Sequence, residues 1–242
     1  MVMLSTSQFC LSRCTNIGMK LDRFFSPIRD GILFDMTTHF YPSRAYGACR
    51  EKLRLDDFTS HFFGYVLSGT ATLKASESLQ TVELHERMYF SLPGPIEIFP
   101  HGKVVVFQRF GYRGLPLIGG PIEPMGRLSY IDQCTASLIV PPARMTDPCL
   151  NQLVFPPQIL QTQHTHPTIR LGLVYEGFGI CHLGNGEKQE LTVGTTFCLP
   201  AHQPHCFESK DQTLGVIAFH PDTDTGPTDG SHPMLNRTYI SK

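Results

Sequence analysis

The run QHTHPTIRLGLVYEGFGICHLGNGEKQELTVGTTFCLPAHQPHCFE, from Gln163 to Glu208, decides the reading of this chain. It opens on His164-Thr165-His166-Pro167 and closes on Pro200-Ala201-His202-Gln203-Pro204-His205. Between them lie a valine- and leucine-rich strand pattern, a Gly-x-Gly break at Gly177 and Gly179, and a Gly-Asn-Gly turn from Gly184 to Gly186. Residues i and i+2 of a strand share a face. On a strand, His164 and His166 would therefore point the same way, and a returning strand would bring His205 beside them. Three imidazoles suit Fe, Ni, Cu or Zn and leave coordination positions open for substrate or water.

Outward from this run, the chain contains one pattern twice. Phe62-Phe63-Gly64-Tyr65-Val66-Leu67-Ser68-Gly69 resembles Arg170-Leu171-Gly172-Leu173-Val174-Tyr175-Glu176-Gly177, with Gly69 and Gly177 offset by 108 positions. Arg87-Met88-Tyr89-Phe90-Ser91-Leu92-Pro93 resembles Gly194-Thr195-Thr196-Phe197-Cys198-Leu199-Pro200, with Pro93 and Pro200 offset by 107. A near-constant offset across two separate motifs argues for duplication. The junction falls in the Gly- and Pro-rich segment between Gly111 and Asp132, giving units 1–125 and 126–242. Strands are short, punctuated by Gly, Pro and Asn, and no long helical periodicity interrupts them. A short helix is expected around Lys20 to Phe25, and the polar stretch from His220 to Met234 is expected to be irregular.

Composition narrows the function. At 242 residues with 41% hydrophobic and 17% charged residues, the chain can bury a full core and reads as globular. With 21 glycines and 19 prolines, punctuation is dense enough for many short strands and an all-β fold. A net charge of -1 supplies no electrostatic footprint for nucleic acid or an anionic membrane. No apolar run approaches the roughly 20 residues of a membrane helix. The eight cysteines form no Cys-x-x-Cys pair and several sit in apolar strands. Free, buried thiols in a reducing compartment, the cytoplasm, are expected. The first twenty residues lack a basic region followed by an apolar one, so a secretory signal is not expected. Their Ser, Thr and Arg content, poor in acids, keeps organelle targeting open.

On these residues the C-terminal half is identified as resembling the cupin superfamily. Its first motif is read in His164-x-His166, Arg170 and Gly177, its second in Gly194, Pro200, His202 and His205. The resemblance implies two tandem double-stranded β-helix (jelly-roll) barrels, with His164, His166 and His205 as ligands to one divalent metal. Fe(II) leads, and Zn, Ni, Mn or Cu are also possible. The arrangement resembles that of thiol and diketone dioxygenases within the superfamily. Two positions depart from the pattern. Arg170 replaces the usual glutamate, and His202 replaces the second motif's glycine. In the first half, Asp56, Phe58 and Phe62 align with His164, His166 and Arg170, and Ile98 aligns with His205. Phe and Ile cannot bind a metal, so that barrel reads as metal-free. His61, His85 and His101 have no ligand-like spacing.

Arg170 bears on the substrate. Strand parity puts it on the face of His164 and His166. A guanidinium about 5 Å from a divalent ion costs roughly 7 kcal/mol at an effective dielectric near 20. Either it turns to a carboxylate, with Glu176 and Glu208 as candidates, or an anion fills the space between. A guanidinium fork suits a carboxylate or phosphate, so the expected partner is a small anionic substrate. His202, Tyr175 and Glu208 are candidate acid–base groups beside the metal. The leading expectation is an Fe(II)-type oxygenase acting on a small anionic metabolite. The alternatives are a Lewis-acid isomerase, decarboxylase or lyase, and a non-catalytic ligand-binding or sensory module. A homodimer is possible, since sheet edges need covering.

Overall fold

The computed structural model describes residues 24–75 and 81–222. Regular structure there is all-β apart from one 3-10 turn at Ile131–Gln133. The first half contains β1 (Phe25–Pro27), β2 (Gly31–Met36), β3 (Ser43–Ala48), β4 (Leu53–Leu55), β5 (His61–Ala75), β6 (Val82–His85), β7 (Tyr89–Pro93), β8 (Ile96–Arg109) and β9 (Leu117–Gly119). The second contains β10 (Leu128–Ser129), β11 (Thr135–Val140), β12 (Cys149–Phe155), β13 (Arg170–Glu176), β14 (Phe178–Leu183), β15 (Lys188–Thr192), β16 (Thr195–Leu199), β17 (His205–Ser209) and β18 (Leu214–His220).

The N-terminal barrel is one folded-over sheet in the order β2-β3-β8-β5-β7-β9, with β4 on β8 and β6 on β5. Its long β5–β8 pair serves both layers because β5 is bulged between Val66 and Ser68. The C-terminal barrel has a seven-stranded sheet, β1-β16-β13-β18-β12-β11-β10, facing a three-stranded sheet, β15-β14-β17. Here the strand equivalent to β5 is split at Gly177 into β13 and β14.

The duplication is visible atom by atom. Gly69 and Gly177 both hold left-handed φ, +70° and +73°. Gly64 lies opposite Phe90 and Gly172 opposite Phe197. A Cβ on either glycine would come within 2.1 Å of the facing phenyl ring. Arg87 N–H donates to the Val66 carbonyl at 2.9 Å, and Gly194 N–H donates to the Val174 carbonyl at 2.9 Å. These recurring pairs keep the motif offset seen in the sequence.

Three apolar clusters hold the molecule. One fills the N-terminal barrel around Phe62, Phe90 and Ile98, and one fills the C-terminal barrel around Phe155, Phe197 and Phe207. The third lies between the barrels, where Phe107 stacks on Phe219 at 5.4 Å and Phe63 meets Phe219 at 5.1 Å. Strands covered on both sides read as unbroken apolar runs rather than alternating ones, as Leu171 to Tyr175 does.

Several expectations need correcting. The segment around Lys20 to Phe25 does not end as a helix. Phe25 begins β1, and residues up to 23 lie outside the described part. β1 pairs with β16, Phe25 opposite Phe197, so this N-terminal strand belongs to the C-terminal sheet. Burial of Phe24 and Phe25 in the C-terminal core accounts for that crossing. His220 is not the start of an irregular tail but the last residue of β18. The tail from 223, and Cys10 and Cys14, fall outside the described residues. The six described cysteines are free, and all but Cys49 are buried.

His61, which lacks ligand-like spacing, is hydrogen-bonded and fully buried. Gly114 N–H donates to its Nδ1 at 3.0 Å, so Nε2 carries the proton and donates to Ser91 Oγ at 2.7 Å. Burial, with Arg113 adding to it, lowers its pKa to about 4. A histidine depressed in the folded state stabilises fully above its unfolded pKa of about 6.5 and loses that contribution as pH falls toward 4. This group therefore removes up to about 3 kcal/mol of stability between pH 6.5 and pH 4. Denaturant unfolding of wild type and His61→Gln across that window checks it. The difference between them should shrink as pH falls, and a constant difference contradicts the assignment.

Candidate metal centre

His164 and His166 converge with His205, but not by the route that strand parity implies. Neither lies on a regular strand, since β13 begins only at Arg170. His164 instead makes an isolated antiparallel bridge with His205. Each backbone N–H donates to the other's carbonyl, at 3.0 and 2.9 Å. Pro167 has no N–H to give a ladder, and a coil leads from there into β13. The two histidines are thus placed by direct backbone pairing with the first residue of β17.

The ring centroids stand 4.7 Å (His164–His205), 5.0 Å (His164–His166) and 5.2 Å (His166–His205) apart. One ligand atom from each lies within 4.8 Å of the others. Nitrogens bonded at about 2.1 Å to a shared ion are at most about 4.2 Å apart. The rings need only a small adjustment to meet that limit, so the donor set fits a divalent metal.

Hydrogen bonds fix the tautomers of two of them. His164 Nδ1 lies 2.8 Å from the Thr162 carbonyl and His205 Nδ1 lies 2.8 Å from the Gln203 carbonyl. A carbonyl only accepts, so each Nδ1 carries the proton and each Nε2 presents a lone pair. Burial lowers all three pKa values, that of His205 to about 4, with the Gln203 carbonyl opposing the shift. The rings are therefore neutral near pH 7, the form that ligates a metal.

Arg170 is buried beside them, and its charge pushes the pKa of each ring further down. Burial lowers its own pKa to about 10, so it remains a cation at neutral pH. Nη1 donates to the Thr168 hydroxyl at 2.6 Å and to the Ile169 and Thr168 carbonyls at 2.9 and 3.2 Å. Neither carboxylate expected from the sequence answers it. Glu176 pairs with Arg87 at 3.1 Å. Glu208 accepts from His182 at 2.7 Å and pairs with Lys210. The carboxylate acting on Arg170 is Asp222, whose pKa burial raises despite that guanidinium.

The candidate acid–base groups are dispersed. Tyr175 lies in the inter-barrel cluster, its hydroxyl accepting from Gln152 Nε2 at 3.0 Å and its ring 5.9 Å from that of Tyr65. Glu208 is committed to His182 and Lys210, an odd number of residues from inward-facing His205. The His202 side chain is exposed. Its backbone does the positioning, because its N–H donates to the His166 carbonyl at 2.7 Å. The residue holds φ +60°, the left-handed region in which glycine is unstrained. His202→Gly should therefore leave metal affinity within about twofold, while His202→Pro, which removes the N–H, should lower it about tenfold or more. Chelator competition measures both.

A fourth histidine escaped the sequence reading. His220 ends β18, with its ring 6.2 Å from that of His166. Strand alternation from Val216, which faces the barrel interior, would have found it. In the N-terminal barrel the aligned positions do other work. Asp56 pairs with Arg54, Phe58 is exposed, and Phe62 and Ile98 fill the core.

Known proteins resemble the chain at this level. Residues 156–234, which include all three histidines, match the family model described as the AraC-like ligand binding domain. The putative glyoxylate induced protein from Pseudomonas aeruginosa superposes over 83% of this chain and 82% of its own, at 16% identity and a TM-score of 0.61. An oxalate decarboxylase variant from Bacillus subtilis superposes over 82% of this chain and 77% of its own, at 11% identity and a TM-score of 0.53. The fold is that of a tandem cupin. A salicylate 1,2-dioxygenase variant from Pseudoaminobacter salicylatoxidans, solved with gentisate, matches this fold over 73% of the chain and 68% of its own, at 11% identity and a TM-score of 0.53. No curated protein sequence matches it. Among the described residues, no helix is long and apolar enough to cross a membrane.

Proposed function

We propose that the C-terminal barrel is a mononuclear metal centre acting on a small anionic metabolite, with an Fe(II)-dependent oxygenase as the leading reading. The observation that carries it is the closure of His164, His166 and His205 to ligand atoms within 4.8 Å, beside a buried Arg170. His164, His166 and His205 would hold the metal by nitrogen. When bound, a divalent ion there supplies Lewis acidity and, if it is iron, a centre for oxygen chemistry. In this reading Arg170, on which the Asp222 carboxylate also acts, orients the anionic group from beside Asp222, and the Thr168 and Ile169 acceptors hold the guanidinium in place. The apolar cluster beneath, with Phe207 in ring contact with His205 at 6.0 Å, keeps water from entering through the barrel floor. Two of the similar folds carry the names of enzymes acting on carboxylates, salicylate and oxalate.

A second reading has its own support. The match of residues 156–234 to the AraC-like ligand binding domain favours a module that binds its ligand without transforming it. Metal analysis of the purified protein with oxygen-uptake assays on a panel of carboxylic acids separates the two. Bound iron and acid-dependent oxygen uptake are the expected result. Bound zinc, or turnover indifferent to oxygen, points to the Lewis-acid isomerase, decarboxylase or lyase. Ligand binding without metal, unchanged in His164→Ala, establishes the binding module instead.

A further inference from the structure

Asn151 is the third of the seven residues of β12 and is 1% exposed. It shares a strand face with Leu153 and Phe155, which pack into the C-terminal barrel core, and with Cys149 two residues above. Across the sheet it lies opposite Ala218, which in turn lies opposite Gly172. The row above carries Cys149 opposite His220 and leads to Arg170, whose charge acts on the Cys149 thiol. Asn151 is therefore one rung below the guanidinium, inside the histidine-bearing barrel. Its Nδ2 donates to Cys149 Sγ at 3.4 Å, but its buried Oδ1 has no hydrogen-bond partner.

A buried acceptor without a donor is costly, and native proteins carry few. Neighbouring Ala218 and Gly172 offer no side-chain donor, and the Cys149 thiol meets the amide as an acceptor, through Nδ2 rather than Oδ1. An apolar residue of the same shape would remove the cost, so stability does not account for an amide here. We propose that Asn151 Oδ1 is a second anchor for the ligand, accepting a hydrogen bond from a hydroxyl on the same molecule whose anionic group Arg170 holds. The inference rests on the anionic-ligand reading above and narrows it to hydroxylated carboxylates. A hydroxyl fits better than an ammonium donor, since a second cation beside a buried guanidinium and a divalent ion is repelled.

Calorimetric titration of the zinc-loaded protein with matched acids tests this: glycolate against acetate, malate against succinate, mandelate against phenylacetate. In at least one pair the hydroxylated acid should bind wild type about tenfold tighter. Asn151→Leu should cut that ratio at least about fivefold while leaving affinity for the plain acid unchanged. Without acids, Asn151→Leu should melt no lower than wild type. If that variant does not fold, Asn151→Ala serves for the affinity ratio. Acids whose binding depends on Arg170 but not on the hydroxyl overturn this inference alone, as does a hydroxyl preference that survives in both Asn151 variants. A panel that does not bind at all overturns the anionic-ligand reading and this inference with it.

Discussion

His205→Ala should lower the affinity for a divalent metal by at least about a hundredfold. Losing a partner that merely orients a ligand already costs 10- to 100-fold, and here a ligand itself is lost. His205 lies 2% exposed at the start of β17, with its Nδ1 proton held by Gln203 and its Nε2 left to coordinate. The backbone bridge to His164 does not depend on the ring, so the barrel should still close. His182→Ala is the matched control, because that ring is bound to Glu208 and not to the cluster. Zinc competition against a chelator, with circular dichroism to report folding, gives the comparison. A change below tenfold in a folded His205→Ala protein contradicts the assignment.

The second large effect concerns the scaffold. Gly172→Ala should destabilise the protein by about 3 kcal/mol or more. A Cβ there meets Phe197 Cζ at 2.1 Å and the Ile217 carbonyl oxygen at 2.7 Å. The phenyl ring can move at the expense of core packing, but the carbonyl is fixed in the β13–β18 ladder. Phe197→Leu should therefore rescue Gly172→Ala only in part. The duplicated position behaves differently. The three atoms nearest a Cβ on Gly64 all belong to the Phe90 ring, with no backbone atom among them, so Phe90→Leu should rescue Gly64→Ala more completely. Equilibrium unfolding of the two double-mutant cycles reads this out. A Gly172→Ala protein within 1 kcal/mol of wild type would show that the barrel yields where the packing says it cannot.

Much of this was legible in the sequence. The offset of 107 to 108 residues, carried by Gly69 with Gly177 and Pro93 with Pro200, identifies two copies of one barrel because glycines and prolines mark backbone geometry that tertiary context rarely overrides. The three histidines were legible for the same reason, as residue types with one joint chemistry. What failed was inference through strand parity. His164 and His166 lie on a coil, and their shared orientation comes from a bridge between distant residues that periodicity cannot reveal. The partner of Arg170 was misplaced because Glu176 and Glu208 are spent on nearer cations, Arg87 and Lys210. Asp222 and His220 reach the centre through β18, whose end the polar tail obscured. β1 was lost between the halves because a strand of three residues, Phe25–Pro27, is too short to show a period.

X-ray absorption of the cobalt-loaded protein at one equivalent of metal tests the central claim most directly. The account predicts three imidazole nitrogens at about 2.1 Å from a single ion, and loss of that signature in His164→Ala, His166→Ala and His205→Ala alike. Failure to take up one equivalent of metal, or an absorption signature unchanged in any of the three variants, contradicts it.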